Sequence, residues 1–270
     1  LLERGSDDKA VLAEMLTLPS EAYIAEQQPL VDVEAIHAAR DFVKQSLAAT
    51  LRDDFLRVYE ENVSDAPYAP EPEQIARRSL KNVALSYLMA IEDEQGIDIA
   101  RRQFEADHNM TDVRHALTLL THSSRDDLAA PALRAFGEKW AHDTLVMDQW
   151  FAIQVTRPQA DALDRVKHLM AHPAFSLKNP NKVRALIGTF ANQNRINFHR
   201  ADGEGYRLLA DVVIELNRLN PEIAARLVTP LTRWQRFDES RQELMKGELE
   251  RIRAEKLSPN VYEVIEKALA

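Results

Sequence analysis

The sequence predicts an all-α fold, an irregular superhelix of paired helices. Three observations predict it. Glycine is scarce, 7 of 270 residues, against roughly 7% in average usage, which leaves little material for tight hairpins. Alanine, leucine, glutamate, arginine and glutamine, the strong helix formers, are plentiful. Helix-start signals at Asn179, Asn220 and Ser258 then recur 41 and 38 residues apart. That spacing is close to the ~40-residue period of HEAT and armadillo helix pairs. Residues 1–270 read as one such helical-repeat domain, an α-solenoid, with a compact helical bundle as the structural alternative.

Element by element, the chain reads as helix after helix. Ser6 can cap a short helix to Leu16, with Asp7 and Asp8 suited to its positive end. Pro19 starts a second short helix. Asp32 opens a helical stretch to about Asn62. Three prolines between Ser64 and Pro72 block helix continuation, so this segment reads as a linker. Leu80, Val83, Ala84, Tyr87, Leu88 and Ile91 then repeat at helical spacing. Gly96 is expected to separate that helix from the next, Ile97 to about His108.

Asn109 and Ser123 begin two further helices, each followed by acids. Pro131 falls inside an apolar-periodic segment and predicts a break or kink. Trp140, Trp150 and Phe151 read as core anchors, with an exposed aromatic stripe as the alternative. Pro158 is expected to open a helix to His172. Asn179-Pro180 opens the next, because proline at the first helical position loses no hydrogen bond. Asp202-Gly203-Glu204-Gly205 leads into a helix whose Leu208, Leu209, Val212, Val213, Ile214 and Leu216 cover most of its circumference, the mark of burial on several sides. Asn220-Pro221 opens a helix expected to kink at Pro230. Asp238 begins a highly charged helix with a narrow stripe of Leu244, Met245, Leu249 and Ile252. Ser258-Pro259 starts the last, with Val261, Tyr262, Ile265 and Leu269 inward. The polar terminal repeat suits the end of a solenoid.

Charge is uneven. The net charge of −9 argues against general nucleic-acid binding. Residues 1–150 carry 15 basic and 28 acidic groups, whereas Lys178–Arg236 carries 10 basic and 5 acidic. A cationic stretch in an acidic chain suggests an anionic partner such as a carboxylate, or an ordinary solvated face. The starts at Asn179 and Asn220 place Arg184 and Arg226 at similar positions in successive repeats, 42 residues apart. No apolar run approaches the ~20 residues of a membrane span. Zero cysteines exclude disulfides and thiolate chemistry and fit a cytosolic protein. The chain opens Leu1-Leu2-Glu3 without a methionine, which reads as a piece of a longer polypeptide.

Catalytic motifs are missing. Of eight histidines only His168 and His172 stand four apart. A zincin needs His-Glu-x-x-His, and Leu169 occupies the glutamate position. The pair is expected to interact with a helix C-terminus instead. No G-x-S-x-G elbow, P-loop or GxGxxG occurs. Asp53-Asp54 and Asp126-Asp127 face apart on helices and read as solvated surface. No catalytic residue and no metal ligand is assigned.

Several motifs carry a resemblance. Asn109-Met110-Thr111-Asp112, Leu145 to Phe151, Asn179 to Gly188, Phe198-His199, Asp202 to Tyr206 and Asn220 to Leu227 resemble, in order along the whole chain, the C-terminal domain of the bacterial aminopeptidase N family. That family comprises zinc alanyl aminopeptidases of the gluzincin class. The ending from Tyr262 to Ala270 is similar as well.

The resemblance implies a cytoplasmic enzyme that releases N-terminal residues from peptides. Its zinc would sit in a catalytic domain upstream, so this chain alone holds no cofactor and is expected to be inactive. The domain in hand would be a superhelix of paired helices that caps the active-site cavity and admits short peptides. Its partners would be the catalytic domain of the same polypeptide and those peptides, with no nucleic acid and no membrane. Arg184 and Arg226 match family arginines facing the cavity, where a guanidinium can hold a peptide carboxylate. Glu222 lies near the side-chain pocket for the substrate's first residue, where relatives often carry glutamine. The competing reading is a free-standing HEAT-like scaffold that binds a protein or nucleic acid.

Overall fold

The computed structural model describes residues 8–270, and every described element is helical. In chain order the helices are α1 (Lys9–Leu16), α2 (Glu21–Glu26), α3 (Val33–Thr50), α4 (Arg52–Asn62), α5 (Pro72–Leu88) and α6 (Glu94–Ala106). Then come α7 (Met110–His122), α8 (Asp126–Trp140), α9 (Thr144–Val155), α10 (Ala162–Met170), α11 (Pro180–Val183) and α12 (Thr189–Gln193). The last are α13 (Arg195–Phe198), α14 (Glu204–Leu219), α15 (Pro221–Leu227), α16 (Thr229–Thr232), α17 (Glu239–Arg253) and α18 (Pro259–Leu269). A π turn, Arg184–Gly188, joins α11 to α12. The chain groups into two compact units: Leu1–Ser20 with His37–Ala135, and Glu21–Ile36 with Phe136–Ala270.

In the first unit α4 packs on α5, α6 on α7, and α1 and α7 on α5. Phe55, Leu85, Leu88, Ile97, Leu117 and Leu120 are buried there almost completely. Each such side chain stabilises the fold by about 1.5–3 kcal/mol. Phe55 stacks on Tyr87 at 4.3 Å, and the Tyr87 hydroxyl donates to Leu16 O at 2.7 Å, which ties α1 down.

The same core holds a buried polar network. Lys81 Nζ donates to Asp112 Oδ2 at 2.7 Å, and Asn82 Nδ2 donates to the other oxygen at 3.0 Å. Gln103 Nε2 donates to Asn82 Oδ1 and to Asp112 O, and Asn109 Nδ2 donates to Asp112 Oδ2. Burial alone would raise the Asp112 pKa; the Lys81 ammonium, Asn109 and Asn82 outweigh it and hold the carboxylate below its usual value.

In the second unit, α14 pairs with α15 and α17 with α18, while α14 packs on α17 and α15 on α18. One helix pair thus stacks on the next, as a repeat fold requires. Two glycines make the α14 start possible. Gly203 has φ +70°, and a Cβ on Gly205 would lie 2.2 Å from Phe198 O.

An N-terminal strap, residues 21–36, completes this unit. Val31 N donates to Arg236 O at 2.7 Å, and Arg236 Nη2 donates to Ala25 O and Gln28 O at 2.8 and 2.7 Å. Arg241 pairs with Glu34 on the strap, with Asp238, and with His199 O at 2.7 Å. His199 shares a 2.9 Å hydrogen bond with Tyr206. Burial, together with Arg195 and Arg241, holds the His199 imidazole neutral, its pKa far below the ordinary value.

Most helix starts fall where the caps predict, but Ser123 closes α7 and α8 begins at Asp126, and several other details differ. The Ser6 cap lies outside the described residues, and Asp8 fills the role by accepting from Ala10 N and Val11 N. The stretch from Asp32 is two helices, broken at Leu51 (φ −112°, ψ 22°), after which Asp53 and Asp54 sit in a new first turn. Gly96 lies inside α6 because Asp93 caps three residues earlier and accepts the Gly96 N–H. Pro131 does not break α8, which runs through it; near the helix start, proline forfeits a single intrahelical bond.

Further on, α10 begins at Ala162 rather than Pro158. Pro230 restarts the chain as α16. Tyr262 is 52% exposed, not inward. The proline-rich stretch is no boundary between the units, since the helices on both sides of it pack within the first.

Candidate functional site

The residues singled out by sequence lie in the second unit. Asn179 Oδ1 accepts from Asn181 N and starts α11, with Pro180 at the first position. Val183, Leu186 and Ile187 are fully buried, and Lys182 is buried with its Nζ on Thr144 O at 2.7 Å and on the Asp148 carboxylate at 2.7 Å. These anchors turn Arg184 to the exposed face.

Arg184 opens the π turn, and Thr189 returns both its N–H and its hydroxyl to Arg184 O. Such one-turn π segments interrupt α-helices frequently at functional sites. The Arg184 guanidinium folds back, with Nε on Pro180 O at 3.2 Å and Nη2 on Asn181 Oδ1 at 3.0 Å. The group has five N–H donors, so three remain for a ligand.

Asn220 Oδ1 accepts from Ile223 N and starts α15, which buries Ala224 and Leu227. Glu222 and Arg226 face outward one turn apart. Arg226 Nη2 donates to Glu222 Oε1 at 2.6 Å, with the two side chains 72% and 66% exposed. An exposed pair of this kind stabilises by about 0.3–0.5 kcal/mol. A methyl added at Gly188 would meet Arg184 Cβ and Leu227 Cδ1, both at 3.9 Å. The last turn of α15 therefore sits against the π turn.

The arrangement suits electrostatic binding. Arg184 and Arg226 present guanidiniums that can take a carboxylate in bidentate fashion. The Glu222 carboxylate, already on Arg226, tempers one of them. Among the described residues no three histidine, aspartate or glutamate side chains converge to hold a metal ion. His172 does not engage a helix end through its ring: Nδ1 accepts from Ala174 N at 3.1 Å, and the ring packs on Trp150 and Phe151.

Sequence reasoning missed two features. The π turn at Arg184–Gly188 has no signature in residue type. The proline-rich stretch lines a cavity of about 580 Å³ in the first unit, together with Tyr59, Arg77, Arg102 and Asp112. Its clue was Gln74, whose amide is spaced to reach back onto the extended segment.

Comparisons with known proteins agree with this architecture. The family described as "Domain of unknown function (DUF3458_C) ARM repeats" matches residues 1–270. The chain is 44% identical to aminopeptidase N of Haemophilus influenzae over 259 residues, 94% of this chain and 29% of that protein. It is 40% identical to aminopeptidase N of Escherichia coli over 267 residues, 97% of this chain and 30% of that protein. A crystal structure of Legionella pneumophila aminopeptidase A in complex with aspartic acid superposes with a TM-score of 0.90 at 33% identity. It covers 99% of this chain and 32% of that one. The chain thus spans less than a third of the length of these relatives, and the match falls in their C-terminal region.

Proposed function

The chain belongs to the DUF3458_C ARM-repeat family, and from that premise we propose that it is the non-catalytic C-terminal domain of a zinc-dependent aminopeptidase that releases N-terminal residues from peptides. The observation that carries this reading is the match, along nearly the whole chain, to a C-terminal region of proteins named aminopeptidase N. In this role the helical repeats form one domain, cap the active-site cavity and restrict entry to short peptides. Exclusion of bulk water by such a cap strengthens electrostatic interactions on a bound substrate.

Zinc, held by residues of an upstream catalytic domain, would activate water for attack on the scissile carbonyl. Residues 8–270 offer no cluster to hold it, and no step of the reaction is assigned to them. Arg184 and Arg226 hold the carboxylate of a bound peptide, and Glu222 sets the strength of the Arg226 contact through their ion pair. The compartment proposed is the cytoplasm. Among the described residues no helix is long and apolar enough to cross a membrane.

Kinetics of the parent enzyme test the reading. Arg226→Ala should raise KM for short peptides more than for a single-residue amide, which has no terminal carboxylate. Equal effects on the two substrates would remove the carboxylate contact from the proposal. The 270-residue chain by itself should bind no stoichiometric zinc and release nothing from alanyl-p-nitroanilide. Chelator-sensitive turnover by it would overturn the assignment as non-catalytic.

A further inference from the structure

The cavity of the first unit is built like a binding site. Its floor is the buried network around Asp112, in which every carboxamide and the Lys81 ammonium already have partners. Tyr59 OH donates to Gln103 Oε1 at 3.1 Å, which fixes one aromatic wall. A second wall is the extended proline-rich segment. Gln74 accepts from Ala69 N at 2.9 Å and donates to Pro67 O at 3.1 Å. Arg78 donates to Gln74 Oε1 and Ala69 O and lies 4.8 Å over the Tyr68 ring. Proline and these bonds hold the wall in shape before any ligand arrives, which lowers the ordering cost of binding. The volume of about 580 Å³ falls in the range of small-molecule sites.

The unengaged charges around the rim are segregated by element. Arg77 on α5 and Arg102 on α6 line the cavity, and among the described residues neither guanidinium has a carboxylate within ion-pair distance. Arg102 makes one long hydrogen bond, to Asp98 O at 3.4 Å, and Arg77 Nε has no partner. Glu60 at the end of α4 and Asp65 on the extended segment also line it, each exposed and, among the described residues, without a cation. Cations therefore come from α5 and α6, and free carboxylates from the α4 end and the segment after it. An anion alone would meet repulsion from Glu60 and Asp65, and a cation alone would meet it from the arginines. A molecule carrying both charges satisfies both groups.

We propose that this cavity binds a small zwitterion with a free ammonium and a free carboxylate, of the size of an amino acid or dipeptide. The carboxylate is taken by Arg77 and Arg102 and the ammonium by Glu60 and Asp65, while the chain of the ligand lies between the Tyr59 and Tyr68 rings. None of these residues belongs to the Arg184–Glu222–Arg226 set.

The test is a titration of the 270-residue chain with alanyl-alanine, N-acetyl-alanyl-alanine and alanyl-alanine amide, followed by calorimetry and by shifts of the arginine Nε–H resonances. The unmodified dipeptide should bind saturably. Each blocked form should bind about tenfold or more weakly, as loss of one charge-assisted contact implies. Arg77→Gln and Glu60→Gln should each weaken the unmodified dipeptide by a similar factor. Each should also lose its discrimination against one blocked form, the amide for Arg77→Gln and the acetylated form for Glu60→Gln. Arg226→Ala should leave this affinity unchanged, which separates the cavity from the proposed peptide-carboxylate contact. Thermal melting of each variant at the wild-type temperature shows that the fold is intact, and Arg102→Gln replaces Arg77→Gln where melting is lowered. Equal affinity for blocked and unblocked dipeptides, or no saturable binding by any of them, would overturn the proposal.

Discussion

Two ion pairs, Lys81–Asp112 in the first unit and Arg241–Glu34 in the second, bury charge in opposite ways. In the first, Lys81 and Asp112 are 31 residues apart on neighbouring helices, with side chains only 10% and 8% exposed. In the second, Arg241 reaches Glu34 across 207 residues of sequence, and its carboxylate partners are half exposed. A sealed ion pair is costly to break from one side, because the remaining charge stays buried without compensation. A bridge with wet partners loses less, since water takes over the freed carboxylates. The first unit thus depends on electrostatic closure inside one layer of helices. The second has a sealed pair of its own, Lys182 with Asp148, and adds a connection between the two ends of its sequence.

Asp112→Ala should give the largest effect, because it strands the Lys81 ammonium and frees Asn82 and Asn109 at once. A loss of about 3–5 kcal/mol in denaturant unfolding is expected. A loss below that of Arg241→Ala would erase the contrast between the two units.

Acid should reveal a second component. Burial, with Lys44 and Lys81 adding to it, lowers the His115 pKa to about 4 from its ordinary value of 6.5. The unfolded chain therefore takes up the proton first. This contribution is complete above pH 6.5 and is lost as pH falls toward 4, a change of up to about 3 kcal/mol. His199, also held neutral, acts in the same direction in the second unit. Asp112, whose folded pKa is lowered, adds stability above its unfolded value that disappears as pH falls through the folded one. Unfolding free energies measured from pH 7 to pH 4 should fall, and His115→Phe should flatten the slope. An unchanged slope would mean that His115 takes up its proton as readily in the folded protein as in the unfolded chain.

Arg241→Ala should cost about 2–3 kcal/mol through the lost bonds to His199 O, Asp238 and Glu34, and hydrogen exchange should rise along residues 21–36. Uniform exchange across the chain would contradict a local tie. Gly205→Ala should cost about 1–3 kcal/mol from the clash with the Phe198 carbonyl. At the low end, Arg226→Ala should shift stability by less than about 0.5 kcal/mol, since both partners of its ion pair are solvated.

Helix starts were legible because their physics is local. Asn109, Asn179, Asn220, Asp238 and Ser258 each accept from an N–H two or three residues on. Breaks were harder, because they depend on neighbours beyond the window. Leu51 has no breaker nearby, yet the helix stops there, while Pro131 carries a strong breaker and the helix continues. Among the proposed site residues, Arg184 and Arg226 could be named from position and Glu222 only from the family resemblance, and the outward placement of all three follows from the buried residues beside them. The Glu222–Arg226 pair was implicit in a four-residue spacing. The cavity of the first unit was not legible, since Tyr59, Arg77 and Arg102 meet only after three helices have packed.

The strap has a consequence for biosynthesis. All of the first unit's sequence has been translated by residue 135, but residues 21–36 find Arg236 and Arg241 only after another hundred residues have been made. At elongation rates of about 5–20 residues per second, the strap waits on the ribosome for roughly 10–40 s between its own synthesis and that of Arg236. Its Tyr23 and Leu30, solvent-exposed even in the finished fold, would be open to chaperones throughout that interval. The earliest-made part of the second unit is therefore among the last to be secured.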